Sequence, residues 1–443
     1  NFLTVNGLKS AAMIFGPLQG PTAGDVPQIC LRLGGEPVPW EELWKYVGVW
    51  FCSSTADIFR GHYERKHDAA VFVFWKMVLG CDHFVGRGRL LPLIGCQLYY
   101  ALVDCHLTHA CDVALDVDNG SFELLDGLNR SVLRRILGVG RRSGIPQLYS
   151  ELGVNPLRVR RANLALGYLR YLMGLPSHHL ARVALQESVL LRARNCASWL
   201  GDLTLVLNNL PFPTSPVPSL SLLTPFVCDN IINTTQAHAR RWVWESIEGM
   251  VSLPLLHGRR EPQETGAPVV NYLCRRHYLS RVEVTDHRLA LTRVLCASVR
   301  FRGVRTDPTS FPFQQICCRR CQRAEKTPGH VFLLCREKEV VAARRELEDT
   351  LMQDFGCSLG RPETREEAER RLRELIFNWD TVVPVARFVY KVVQIFRWFG
   401  QRLPTMVCEM VPDSDDDGVW DFDTATEDGS DLDGDGWEME IDL

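Results

Sequence analysis

Phe2-Leu-Thr-Val-Asn-Gly-Leu-Lys-Ser-Ala-Ala-Met-Ile-Phe15 and Lys45-Tyr-Val-Gly-Val-Trp50 decide how the chain is read. The first stretch alternates apolar and polar residues around Asn6-Gly7, a pair suited to a two-residue hairpin turn. The second is a short β-branched and aromatic run interrupted by Gly48, as expected of a strand whose backbone lies close to something else. Between them, Ile29-Cys-Leu-Arg-Leu33 and Glu36-Pro-Val-Pro39 flank Gly34-Gly35, a second hairpin signal. Residues 1–51 therefore predict strands. The chain opens inside one of them, without an initiator Met, which predicts a fragment or a misplaced gene start.

Working outward, the periodicity turns helical. Residues 64–79 and 90–107 carry apolar residues at helical spacing, the first beside a basic cluster of Arg60, His62, Arg65, Lys66 and His67. Leu125, Leu128, Val132, Leu133 and Ile136 form one apolar face, with Ser121 as the expected cap and Gly138 as the expected stop. Leu210-Pro-Phe-Pro-Thr-Ser-Pro-Val-Pro218 reads as a proline-rich linker and a domain boundary. Beyond it, Thr364-Arg-Glu-Glu367 forms a capping box, and a further helix is expected from Pro384 to about Phe399. The expected architecture is mainly α. It has a small β portion (1–51), a helical region (52–209), a linker (210–225), a second helical region (226–400) and a disordered acidic tail (401–443).

A chain of 443 residues is long enough for two or three domains with their own cores. No apolar run reaches the roughly 18 residues of a membrane span. The best candidate, 382–399, is broken by Pro384, Arg387, Lys391 and Arg397, so no membrane partner is expected. Sixteen scattered cysteines without a secretory pattern favour a reducing, intracellular setting, nuclear or cytoplasmic, over a disulfide framework. Residues 411–443 hold 14 Asp and Glu and no Lys or Arg, so the overall charge of −3 conceals a body of about +11. A basic body favours a polyanionic partner.

The arginines are distributed to match. Arg130 and Arg134 share a helix edge, Arg141 follows, and Arg158, Arg161 and Arg170 recur on the next helix. Singly, each fits a solvated edge; as a series they fit a groove for a phosphate backbone. Arg240-Arg-Trp-Val-Trp244 and Cys274-Arg-Arg-His-Tyr278 fit either stacking on single-stranded bases or amphipathic packing with Arg snorkelling.

Cys318, Cys321, His330 and Cys335 have the form C-x2-C-x8-H-x4-C. Three thiolates and an imidazole complete a tetrahedral Zn(II) shell with no open position, the composition of a structural site. Cys317 with Cys321, three residues between them, is an equally bindable pair, and buried free thiols beside a core His are the bland alternative. A metal here is expected to present Arg319, Arg320 and Arg323 to a phosphate chain.

In this order the pieces resemble the C-terminal half of a non-LTR (LINE-type) retrotransposon reverse transcriptase of the fungal sort. Leu3-Thr-Val-Asn-Gly-Leu-Lys-Ser10 with Met13-Ile-Phe15 is similar to the family's last palm motif, and Tyr46-Val-Gly-Val49 to its primer grip. Leu133-Arg-Arg-Ile-Leu-Gly138 and Leu148-Tyr-Ser-Glu-Leu-Gly-Val-Asn-Pro-Leu157 resemble its thumb, and Cys318 to Cys335 its CCHC knuckle. The resemblance implies RNA-directed DNA synthesis with two Mg(II) ions on palm carboxylates in the intact polymerase. Lys9 would then sit beside the incoming nucleotide, and Tyr46, Val47, Gly48 and Val49 would hold the primer end. The implied partners are an RNA template, an RNA–DNA hybrid or target DNA, with no small-molecule substrate for this chain alone. No Y-x-D-D motif occurs in it, so polymerisation by this chain alone is not expected. The alternative expectation is a non-enzymatic nucleic-acid-binding or scaffold protein derived from a retroelement.

Overall fold

In a computed structural model, the described residues are 10–15, 30–33, 35–80, 89–141, 143–214, 217, 222–271, 273–299, 318, 320–321 and 327–398. The chain is mainly helical, with a small N-terminal β portion of two sheets. Lys9, the Asn6-Gly7 turn, Cys317, Arg319, Arg323 and the acidic tail lie outside the described residues. Residues 1–397 form one compact unit; of the other, 398–443, only Trp398 is described.

The two sheets are both hairpins. β1 (Arg32–Leu33) pairs antiparallel with β2 (Glu36–Pro37), as the flanked glycines predict. β3 (Leu43–Tyr46) pairs with β4 (Val49–Cys52) in the register Tyr46↔Val49 and Lys45↔Trp50. The expected single strand through Gly48 is thus two strands. Val47 at φ +47° and Gly48 at φ +83° supply the two positive φ angles of a two-residue hairpin turn.

Helix α1 (Arg60–Phe74) packs on β4 and runs into a π turn, Trp75–Leu79. Helix α2 (Pro92–Leu98) likewise passes through a π turn, Tyr99–Val103, into Asp104–Leu107. Helix α3 (Asn119–Leu137) lies against α1. Its cap is Asp118, whose carboxylate accepts the Ser121 N–H at 2.7 Å, whereas the Ser121 hydroxyl donates to Asp57 at 2.9 Å. The helix ends where expected, at Gly138 in the left-handed region. Leu125, Val132, Leu133, Ile136 and Leu137 are all buried, each contributing about 1.5–3 kcal/mol of hydrophobic stabilisation.

Helix α4 (Ile145–Leu152) is followed by α5 (Leu157–Gly174), α6 (Leu180–Ala193), α7 (Trp199–Asn208) and the long α8 (Pro225–Glu248). Then come α9 (His277–Arg281), α10 (Thr285–Leu295), α11 (Lys338–Phe355), α12 (Arg365–Ile376) and α13 (Val382–Trp398). The Thr364–Glu367 capping box is present at the start of α12.

Two apolar cores organise these helices. The first joins Tyr63 through Leu157 to Val243 through Val393 and so draws on chain segments separated by the whole middle of the sequence. The second gathers Val159, Leu166, Leu169, Leu203, Leu207, Val217, Cys228 and Ile231. Helix α5 leaves the first core at Leu157 and enters the second; α8 runs back from Cys228 to Val243 and Ile247, packed along α5. Leu210 and Val217 of the proline-rich stretch share the second core with Leu207 before it and with Cys228 and Ile231 after it. The helices before and after the stretch therefore share a core, where the sequence predicted a boundary between domains.

Candidate metal centre and candidate nucleic-acid surface

The four predicted ligands are brought together: one donor atom from each of Cys318, Cys321, His330 and Cys335 lies within 4.8 Å of all the others. The Cys318 and Cys335 sulfurs are 4.0 Å apart, and Cys321 Sγ is 3.3 Å from His330 Nε2. Zn–S bonds of about 2.3 Å in a tetrahedron require sulfurs about 3.8 Å apart, so the residues fit the ion closely. The x4 spacing has a backbone cause. His330–Leu334 is a π turn, and the Cys335 N–H donates to the His330 carbonyl at 2.7 Å, five residues back. Burial pushes the Cys335 thiol up to about 12, helped by its neighbours Cys318 and Cys321; its thiolate form needs a cation. Burial and then the Arg344 charge lower the His330 pKa, which keeps the imidazole neutral and able to ligate. Arg344 in turn donates to the Phe332 and Cys335 carbonyls at 3.2 and 2.7 Å and holds the turn in place.

The module is not peripheral. Val331 and Phe332 are fully buried in the first core, Phe332 against Phe388 of α13 at 6.0 Å between rings. Arg320, expected to face a phosphate chain, instead donates to the Ile395 carbonyl at 2.6 Å and pairs with Glu337 and Glu339 at 3.5 and 3.6 Å. The centre therefore ties α13 to the chain before α11.

The arginine series is divided by its partners. Arg161 is buried; its guanidinium reaches Asp116 at 2.8 Å, the Tyr63 hydroxyl at 3.0 Å and the carbonyls of Leu107 and Ala114. A phosphate cannot reach it, and it leaves the surface series. Arg130 pairs with Asp126 at 2.7 Å and with Glu123. Arg134 donates to the Ser143 carbonyl at 3.2 Å. Arg158 donates to Asn119 at 2.9 Å and lies over the Phe122 ring, and Arg170 pairs with Asp229 at 2.8 Å. Arg141 is exposed. Of the two Arg-aromatic stretches, Arg276, His277 and Tyr278 are buried, whereas Arg240, Arg241 and Trp244 face outward.

Tyr46, Val47, Gly48 and Val49 stand together at the hairpin tip. Tyr46 is 67% and Val47 82% exposed, while Val49 is buried. Trp50, paired across from Lys45, carries the Arg65 guanidinium over its ring at 3.9 Å.

Ser150, Glu151, Arg259 and Glu261, which had no expected role, form a buried polar lock with Arg276, His277 and Tyr278. Glu151, fully buried, accepts from Arg259 at 2.6 Å and from the Tyr278 hydroxyl at 2.8 Å, while Ser150 accepts from Arg259 and Arg276 at 2.6 and 2.8 Å. Glu261 accepts from the His277 backbone N–H and ring at 2.6 and 2.9 Å. Burial opposes ionisation of Glu261, yet the His277 bonds and the Arg276 and Arg259 charges outweigh it and hold the carboxyl at about 2. Gly153, at φ +70°, lets the distal backbone pass: a Cβ there would lie 2.5 Å from Arg275 N. Ser150, Glu151 and Gly153 all belong to the 148–157 stretch, in which nothing local marks a buried ion pair.

No protein-family model, curated protein or solved structure matches the chain.

Proposed function

We propose that this chain is a nucleic-acid-binding unit related to the thumb side of a LINE-type reverse transcriptase, binding RNA or an RNA–DNA hybrid without polymerising by itself. The observation that carries the reading is the β3–β4 hairpin. The Tyr46-Val-Gly-Val49 segment is a turn offering an exposed aromatic and an exposed aliphatic side chain at the entry to a helical body, a geometry suited to gripping a strand end. The shared order of the motifs from Leu3 to Cys335 supports it. In this reading zinc is a structural cofactor on Cys318, Cys321, His330 and Cys335, and supplies no reaction step. Lys9 would assist only within an intact polymerase, where Mg(II) is held by other residues.

The ion-paired arginines favour a second reading, a scaffold derived from a retroelement, because paired guanidinia stabilise the protein and do not call for a phosphate. One experiment separates them. Binding of single-stranded RNA and of RNA–DNA hybrid is measured by fluorescence anisotropy over a salt series, with and without residues 411–443. The polymerase-derived reading expects affinity that falls steeply with salt and weakens when Tyr46 and Val47 are both replaced by Ser. Absence of retention at low salt after tail removal leaves the scaffold.

A further inference from the structure

The four candidate ligands would bring an imbalance of charge into the first core. Three thiolates and a neutral imidazole around Zn(II) leave one net negative charge, and Cys318, His330 and Cys335 are buried. A net charge held away from water is costly unless an opposite charge stands beside it.

Two arginines reach the centre. Arg320, between Cys318 and Cys321 in sequence, is already matched: it pairs with Glu337 and Glu339 and donates to the Ile395 carbonyl. Arg344 is not. It stands half-buried on α11, and its Nε and Nη2 donate to the carbonyls of Phe332 and Cys335 at 3.2 and 2.7 Å. The second carbonyl belongs to a ligand, and the first to the π turn between His330 and Cys335. Among the described residues, the Arg344 side chain has no carboxylate partner. Carbonyl acceptors alone are an ordinary end for an arginine: Arg373 finishes on the carbonyls of Pro254 and His257. What distinguishes Arg344 is the place of its unmatched charge, one hydrogen bond from a ligand of a centre that would carry the opposite charge.

We propose that Arg344 is the counter-charge of the zinc–thiolate centre and a positioning residue for it. Its charge offsets the surplus negative charge and strengthens Zn(II) binding, while its two hydrogen bonds hold the turn that carries His330 and Cys335. The inference rests on the zinc reading of the four side chains. It makes metal and arginine mutually dependent. Without metal the surplus negative charge is absent, and Arg344 has no counter-charge; by linkage, each strengthens the hold of the other.

The test uses the full chain, loaded with Zn(II) and with the metal removed. Zinc affinity is measured at fixed pH by competition with a chromophoric chelator, and the ligand set is read from the absorption spectrum of the Co(II)-substituted protein. Arg344→Met should weaken Zn(II) binding roughly ten- to a hundredfold, the usual consequence of losing a group that supports a metal ligand. It should lower the melting temperature of the loaded protein more than that of the metal-free protein. Arg344→Lys keeps the charge and loses the planar fork, so it should retain most of the affinity and the Co(II) spectrum. Arg345→Met removes an exposed charge from the next position of α11 and should change neither.

Equal affinity in the wild type and Arg344→Met overturns the inference and leaves the zinc reading standing. So does an equal loss of melting temperature with and without metal, which a purely structural arginine would give. If Arg344→Met does not fold, Arg344→Lys decides alone: affinity near the wild type supports the charge, and a loss of roughly tenfold or more overturns it. A wild-type chain that takes up no Zn(II) removes the zinc reading and the inference together.

Discussion

Glu151 receives the Arg259 guanidinium and the Tyr278 hydroxyl in a volume that excludes water. Removing its charge leaves Arg259 and Arg276 buried beside too few acceptors. Glu151→Gln should destabilise the protein by about 3–5 kcal/mol, the usual effect of breaking a buried ion pair from one side. Urea unfolding followed by tryptophan fluorescence measures it. A second residue sets a pH window. His62 is held at about 4 by burial, against an ordinary 6.5, so the unfolded chain binds the proton first as pH falls. The stability contributed by its neutral form is complete above about pH 6.5 and is lost as pH falls towards 4. The melting temperature should decline across that window, and His62→Gln should remove this part of the decline. At this scale the sequence is only partly legible. The pairing of Arg130 with Asp126, four residues earlier, is readable from helical spacing. The partners of Arg161 and Glu151 lie 45 and 108 residues away, and no local pattern announces them.

The hairpin shows how an element can be recognised and its shape misjudged. A Tyr-Val-Gly-Val run has β-branched and aromatic character, which suits a strand, and Gly48 was visible as an interruption. Positive φ at Val47 was not, because a β-branched side chain is disfavoured there and Asn-Gly is the usual signature. Val47 therefore carries local strain. Val47→Asn should raise stability by about 1 kcal/mol in thermal denaturation, since Asn tolerates that conformation. If Val47 also contacts a bound strand, the same substitution should weaken oligonucleotide binding while the protein becomes more stable. Helix ends were more legible, at Gly138 and at the Thr364 box, because caps are local chemistry. The four candidate metal ligands, which lie together as their spacing predicts, were legible for the same reason. Their embedding in the first core was not, because it depends on Phe332 meeting Phe388, 56 residues further along.

For the whole molecule, that embedding makes the candidate metal centre a tie within the main core. Zinc should be present at one ion per chain. Its removal by a chelator, or Cys318→Ser, should lower the melting temperature of the core that contains Phe332 and Phe388, beyond any local loosening at 318–335. Elemental analysis with calorimetry checks both statements. A metal-free protein with an unchanged melting temperature would show that the four side chains are only packed thiols and an imidazole.

The first core also has a temporal consequence. Its two halves are separated by the lobe that α5 opens and α8 closes, so Tyr63 to Leu157 can pack on one another but cannot complete their core until Val243 and later residues exist. On the ribosome, the lobe has most of its own contacts within reach and can condense while the first core waits half-built. During that interval, Leu133, Leu148 and Leu157 belong to an unfinished surface. Pausing of synthesis between residues 157 and 243 would prolong exposure to chaperones at the stage when the chain needs them most.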